Sequence, residues 1–308
     1  MKYMTDINTY QGFQKTAVTL GKFDGLHAGH QELIKRVQKY AEREHLDRVV
    51  FVFNMQDYLE KTGRGHKVLM TSRERAFELE GLTDYLIEQD FTEAIRTMPA
   101  ETFIEEILCR KLHASRIVVG TDFTFGYKAQ GDYRMLEKYQ DRFGYRLDVV
   151  EKITYQNREI SSTFIREMVQ KGEMAAVREM LGTPYRISGT IVNGRHLGRT
   201  IGIPTMNLPV DERKLLPPCG VYAAKGILDG KSYDGILNIG VKPTVTEDNK
   251  ILAELHLFDY TGDAYGKALA IDLYWFMRKE EKFASLTELK TQVQRDIAQG
   301  KRYLSKLK

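Results

Sequence analysis

Two groups of residues in this chain have types and spacing suited to phosphate chemistry. The first is Gly21-Lys22-Phe23-Asp24-Gly25-Leu26-His27-Ala28-Gly29-His30, directly after an apolar run. A strand, a glycine-rich turn and a helix start make an anion cradle, because the helix N-terminus presents unpaired amides. Gly21, Phe23, Asp24, Gly25 and Gly29 are its candidate phosphate-binding positions. His27 and His30 stand three apart, so both rings can face one ligand. Histidines there can donate hydrogen bonds to a pentavalent phosphorus as charge builds, with no covalent bond. As an isolated pair they would serve equally as capping or surface residues; the strand and the glycines tip the balance.

A second stretch, Ile160-Ser161-Ser162-Thr163-Phe164-Ile165-Arg166, supports the first. Ser161, Ser162 and Thr163 can cap a helix and also hold phosphate oxygens. Arg166, four residues after Ser162, can reach the same anion with a bidentate fork. Taken alone this is a good N-cap followed by a surface arginine. A third stretch, Gly120-Thr121-Asp122-Phe123-Thr124-Phe125-Gly126 with Gly131, follows a strand end, where open parallel sheets bind ligands.

The other phosphate-type group is Gly198-Arg199-Thr200-Ile201-Gly202-Ile203-Pro204-Thr205-Met206-Asn207. Gly202 permits close backbone approach and Pro204 fixes the turn before the ligands. The Thr205 hydroxyl and the Asn207 amide oxygen are hard, neutral ligands suited to Mg²⁺, whose charge ATP phosphates would mostly meet. Pro-Thr-x-Asn by itself is also an ordinary turn. Further on, Ile251-Leu252-Ala253-Glu254-Leu255-His256-Leu257-Phe258 alternates with period two, so Glu254 and His256 share a face. A carboxylate so placed can accept the proton of a primary alcohol attacking a γ-phosphate.

The elements that must position these residues differ between the halves. In the first, apolar strands are expected at 16–20, 48–53, 116–120 and 146–150. Helical spacing is expected at 31–44, 72–80, 100–111 and from 131 to about 143. Strands apolar throughout and alternating with helices predict an α/β domain, a doubly wound parallel sheet covered on both faces. After Leu181-Gly182-Thr183-Pro184 the texture changes to short strands between glycine, proline and asparagine turns, at 186–192, 220–228, 232–239, 251–258 and 268–276. That predicts a small antiparallel β-barrel with a terminal helix over 286–303. The domains expected are 1–183 and 184–308.

Bulk properties agree with two domains. A chain of 308 residues exceeds one comfortable core. The net charge of +4 is too mild to mark a nucleic-acid footprint. No apolar leader opens the chain and no run approaches the ~20 residues of a membrane span. Cys109 and Cys219 fall in different halves, as in a reducing cytoplasm rather than a disulfide framework.

From about residue 16 to the C-terminus the chain resembles the bacterial bifunctional FAD synthetase family, riboflavin kinase joined to FMN adenylyltransferase. The histidine motif, Ser161 to Arg166 and the Gly198 to Asn207 motif carry the resemblance together. It implies ATP, riboflavin, FMN and FAD as substrates and products, Mg²⁺ with ATP, and no nucleic-acid or membrane partner. It assigns the base role to Glu254, phosphate contacts to Gly198, Arg199 and Gly202, and transition-state contacts to His27, His30 and Arg166. Flavin contacts fall to Asp122, Phe123, Phe125 and Arg278. Where the family carries an aspartate-proline-histidine-proline stretch, this chain reads Phe53-Asn54-Met55-Gln56-Asp57. Two other readings stay open: a kinase whose N-terminal half is inert or re-purposed, and a flavin-responsive or RNA-binding regulator. The chain lacks the aromatic and basic interleaving that single-strand binding needs.

Overall fold

Unbroken apolar runs in the first part of the chain form a parallel sheet buried on both faces. The computed structural model describes residues 1–63, 65–194, 202–242 and 250–307. It divides into two units, Met1–Ser162 and Thr163–Lys308. The first holds β1 (Lys2–Met4), β2 (Thr16–Gly21), β3 (Asp47–Asn54), β4 (Tyr85–Asp90), β5 (Ala114–Gly120), β6 (Thr124–Phe125), β7 (Gly131–Asp132), β8 (Arg146–Val150), β9 (Thr154–Tyr155) and β10 (Arg158–Glu159). The main sheet runs β1-β4-β3-β2-β5-β8 with every pairing parallel.

Side chains on a strand alternate between faces, and here both sets find apolar cover. Val49 and Phe51 join a cluster with Val18, Leu20, Ile104 and Leu108. Val50 and Val52 join another with Leu33, Ile34 and Val37 of the helix Ala28–Glu44. Strand order reverses between β2 and β5, and ligands of such sheets bind outside the carboxyl ends at that point. The glycine-histidine motif leaves the end of β2, and Gly120-Thr121-Asp122 leaves the end of β5.

Two strands of this sheet were not expected from the sequence. β1 is three residues long, too short to show a period. β4 ends in Glu88-Gln89-Asp90, and two of these are buried: Glu88 is 1% exposed and Gln89 5%. Arg75, itself buried, forms an ion pair with Glu88 that makes the polar strand tolerable. The helical stretch after Pro99 is also wound differently: Ala100–Thr102 is α-helical, and Phe103–Lys111 widens to a π-helix.

In the second unit, helices Ser162–Lys171 and Met174–Leu181 precede a barrel, and the second of them packs on its strands. The strands are β11 (Tyr185–Thr190), β12 (Met206–Pro209), β13 (Gly220–Leu228), β14 (Lys231–Lys242), β15 (Lys250–Leu257) and β16 (Ala268–Lys279). They are antiparallel in the order β11-β16-β13-β14-β15-β12. The N–H of Val192 donates to the carbonyl of Asn207 at 2.9 Å, so the chain leaving β11 meets β12 and the barrel nearly closes. β12 adds one strand to the five expected. The C-terminal helix Leu286–Leu304 packs on β13 and β14. Arg278 anchors it through Asp296, and Trp275 stacks on Tyr303 with ring centroids 4.9 Å apart.

Candidate active sites

The turn from Phe23 to Leu26 is held by its carbonyl oxygens. Arg75 Nε donates to Phe23 O at 3.1 Å, and Ser162 Oγ donates to Asp24 O at 2.8 Å. His30 Nδ1 donates to Gly25 O at 2.8 Å, and Gln31 Nε2 to Leu26 O at 2.9 Å. The Asp24 carboxylate accepts from the amides of Leu69 and Met70 at 2.8 and 3.2 Å. Phe23 sits at φ 45°, a conformation costly for a side chain with Cβ, and these contacts are what hold it there. With four consecutive carbonyls taken, the groups left to an anion are N–H groups. The first amides of the helix Ala28–Glu44 have no partner within it.

His27 is the N-cap of that helix, but its side chain makes no cap bond. Its ring stacks on His30, centroids 3.7 Å apart and planes at 21°. His27 is 9% exposed, and its Nδ1 is buried with no hydrogen-bond partner among the described residues. Burial pushes its pKa down to about 4, opposed weakly by Asp122. Burial, the neighbouring His27 and Arg75 push His30 well below the usual histidine value, against the pull of its bond to Gly25. Both rings are therefore neutral at neutral pH. Because a carbonyl cannot donate, the His30–Gly25 bond fixes the proton on Nδ1 and leaves Nε2 as the free ring nitrogen.

Gly21, Phe23, Asp24, Gly25, Gly29, His27, His30 and Ser162 thus lie on one turn and its fastenings. Ser161 is adjacent. Thr163 and Arg166 lie on the helix opening at Ser162, in the second unit, Arg166 one turn along it. Asp122 is exposed and faces Lys152 at 3.6 Å. Phe123 and Phe125 are core residues, their rings stacked at 5.6 Å. The Asn54 segment closes the ends of β3 and β4: Asn54 Nδ2 donates to Asp90 Oδ1 at 2.9 Å, and a short helix, Gln56–Lys61, follows. Phe53, Tyr58, Phe91 and Phe103 gather there, with centroids 5.4 to 6.4 Å apart.

In the barrel, strand register does the positioning. Asn207 of β12 is paired directly with Glu254 of β15, and Glu254 with Asn238 of β14. Directly opposed residues share a face with Cβ atoms roughly 4.5–5.5 Å apart. Asn207 is 4% exposed, and its Oδ1 is buried without a hydrogen-bond partner among the described residues. A Cβ on Gly194 would fall 2.1 Å from Asn207 Nδ2, so only glycine leaves room for this amide. Thr205, half-buried, stands two residues before Asn207. A buried amide oxygen with no hydrogen-bond partner among the described residues, two positions along the chain from a hydroxyl, is a donor set that fits Mg²⁺. Asn238 Nδ2 donates to Glu280 Oε1 at 3.3 Å. Gly202 is exposed at φ 77°, while Gly198 and Arg199 lie outside the described residues. Arg278 is engaged by Asp296 at 2.7 Å and by the Lys279 carbonyl at 3.0 Å.

A glycine-histidine turn at the switch point of a parallel sheet, followed by an antiparallel barrel in which a buried asparagine is paired with a glutamate, fits the class of two-domain transferases of nucleotide chemistry. Residues 10–164 match the family described as FAD synthetase, and residues 181–304 match the family described as Riboflavin kinase. The chain belongs to the bifunctional riboflavin kinase/FMN adenylyltransferase family. It is 34% identical over 301 residues to the bifunctional riboflavin kinase/FMN adenylyltransferase of Haemophilus influenzae, covering 97% of each chain. It is 34% identical to that of Bacillus subtilis, over 96% of this chain and 94% of the relative. The Escherichia coli K12 protein is 36% identical over 91% and 90%. A crystal structure from Streptococcus pneumoniae, described as a macrolide-efflux protein, superposes with a TM-score of 0.84 at 28% identity over 96% of both chains. Among the described residues, no helix is long and apolar enough to cross a membrane. Both halves find their counterparts, which favours two activities over a single working half.

Proposed function

We propose that the chain phosphorylates riboflavin to FMN in its C-terminal domain and joins FMN to the AMP part of ATP in its N-terminal domain. In the first reaction a primary hydroxyl of riboflavin attacks the γ-phosphorus and ADP leaves. Glu254 accepts the hydroxyl proton, a role worth roughly 10²–10⁴ in rate. Thr205 and Asn207 hold Mg²⁺, which when bound offsets the charge of the ATP phosphates. In the second reaction an FMN phosphate oxygen forms a bond to the α-phosphorus as the bond to pyrophosphate breaks. No protein nucleophile is needed, so positioning and charge stabilisation by His27, His30, Arg166 and the turn amides supply the catalysis. Gly198, Arg199 and Gly202 contact phosphate in the kinase half, and Asp122, Phe123, Phe125 and Arg278 contact flavin. We take the two activities to divide at 183/184, beyond the 162/163 division of the two compact units, with cytoplasmic residence and no nucleic-acid or membrane partner.

The observation that supports this most is the pairing of Asn207 with Glu254, which sets a metal-type ligand beside a base-type carboxylate on one barrel face. The test supplies riboflavin, ATP and Mg²⁺ and follows FMN and FAD separately over time. Glu254→Gln should abolish FMN formation while FMN fed directly still becomes FAD. Kinase activity surviving that change would show that another group takes the proton.

A further inference from the structure

Among the described residues, the segment Pro204-Thr205 has no ladder to hold it. β12 pairs with β15 from Met206, opposite Leu255, to Pro209, opposite Leu252. Ahead of Met206 the ladder stops, and Pro204 has no N–H with which to extend it. The bond that fastens this end comes instead from a side chain: His256 Nδ1 donates to the Pro204 carbonyl at 2.8 Å. His256 is two residues beyond Glu254 on β15 and shares its face. Its ring lies 6.1 Å, edge-on, from Phe258. One strand therefore carries the carboxylate and also the tether of the segment that bears Thr205.

We propose that His256 is a positioning residue of the kinase site: by binding Pro204 O it fixes Thr205 relative to Asn207 and Glu254, and so sets the affinity for ATP with its divalent cation. His256 touches neither the cation nor the reacting atoms in this role. The proposal rests on the assignment of Thr205 and Asn207 as the metal-holding pair. A proline carbonyl one residue before a ligand hydroxyl is a short lever. Losing a single neutral hydrogen bond there is expected to weaken binding about three- to tenfold and to leave turnover at saturation nearly intact.

The experiment uses the full chain and its two reactions. His256→Ala should raise KM for MgATP in riboflavin phosphorylation about three- to tenfold with kcat nearly unchanged, and should shift upward the Mg²⁺ midpoint for stabilisation of the second unit by ATP, followed by Trp275 fluorescence without riboflavin. His256→Asn places an amide N–H where Nδ1 stands and should restore both values to near wild type. FMN adenylylation, measured on the same preparations, should not move, which separates a local effect from unfolding. Asn207→Ala is the reference. If it raises the Mg²⁺ midpoint while His256→Ala leaves KM and midpoint unchanged, the positioning role is refuted and the metal assignment stands. If Asn207→Ala also leaves the midpoint unchanged, the metal assignment itself fails. If His256→Asn is as impaired as His256→Ala, the tether is not the cause and the inference is overturned.

Discussion

Replacing His27 by asparagine should change how the first unit responds to acid. The ring is buried and its pKa is pushed from 6.5 to about 4, chiefly by loss of solvent. Such a group favours the neutral form in the folded state. Above pH 6.5 both folded and unfolded chains are neutral there, and nothing is gained or lost. As the pH falls below 6.5 the unfolded chain takes up the proton first, so stability drains until about pH 4. At pH 5 the unfolded chain is almost fully protonated at this site and the folded one only about one time in ten, a loss of about 2 kcal/mol. His27→Asn has no such group, so its own cost is the same at any pH. The stability difference between the two proteins should shift by about 2 kcal/mol in favour of the variant between pH 8 and pH 5. Urea unfolding followed by circular dichroism reports both units. The single tryptophan, Trp275, reports the second unit by fluorescence, which isolates the transition of the first. A difference that stays constant across the two pH values would show that His27 is not a buried neutral ring.

Other expectations follow from the same contacts. Arg75→Met leaves Glu88 buried without its counter-charge, the Tyr3 hydroxyl still donating to it, and should cost about 3–5 kcal/mol by urea unfolding. Adding Glu88→Leu should restore most of that stability, yet FAD formation should stay slow, because Phe23 O still lacks its donor. Full recovery of FAD formation in the double variant would show that Arg75 is only a stability residue. Gly126→Ala puts a Cβ 2.6 Å from Ala100 Cα at φ 75°, so a loss of about 1–3 kcal/mol or more is expected. A melting temperature equal to wild type would contradict it.

Much of the first site was legible because its signals are local. The apolar run before Gly21, the glycines and the paired histidines each follow from the geometry of a strand entering a helix. The fastenings were not legible, because they are long-range. Arg75 reaches Phe23 across 52 positions, and nothing near Arg75 or Glu88 in sequence announces that the two will meet. β4 escaped for the same reason: a strand ending Glu-Gln-Asp does not look buried until its arginine is known. In the barrel, the shared face of Glu254 and His256 followed from period two alone. That Asn207 would lie opposite Glu254 depends on register, which no single segment encodes. The role of Gly194 was equally hidden, since it exists only as the space left for an amide from another strand.

One end of the parallel sheet has a vulnerable rim. β1 caps β4 through three pairs, Lys2 with Tyr85, Tyr3 with Leu86 and Met4 with Ile87. The amino group of Met1 also meets Glu80 at 3.0 Å. Trimming these few residues would bare the outer peptide groups of Tyr85, Leu86 and Ile87, the apolar part of β4, and invite it to stitch to a second copy, so insoluble protein rather than a merely weaker enzyme is the expected consequence of removing β1.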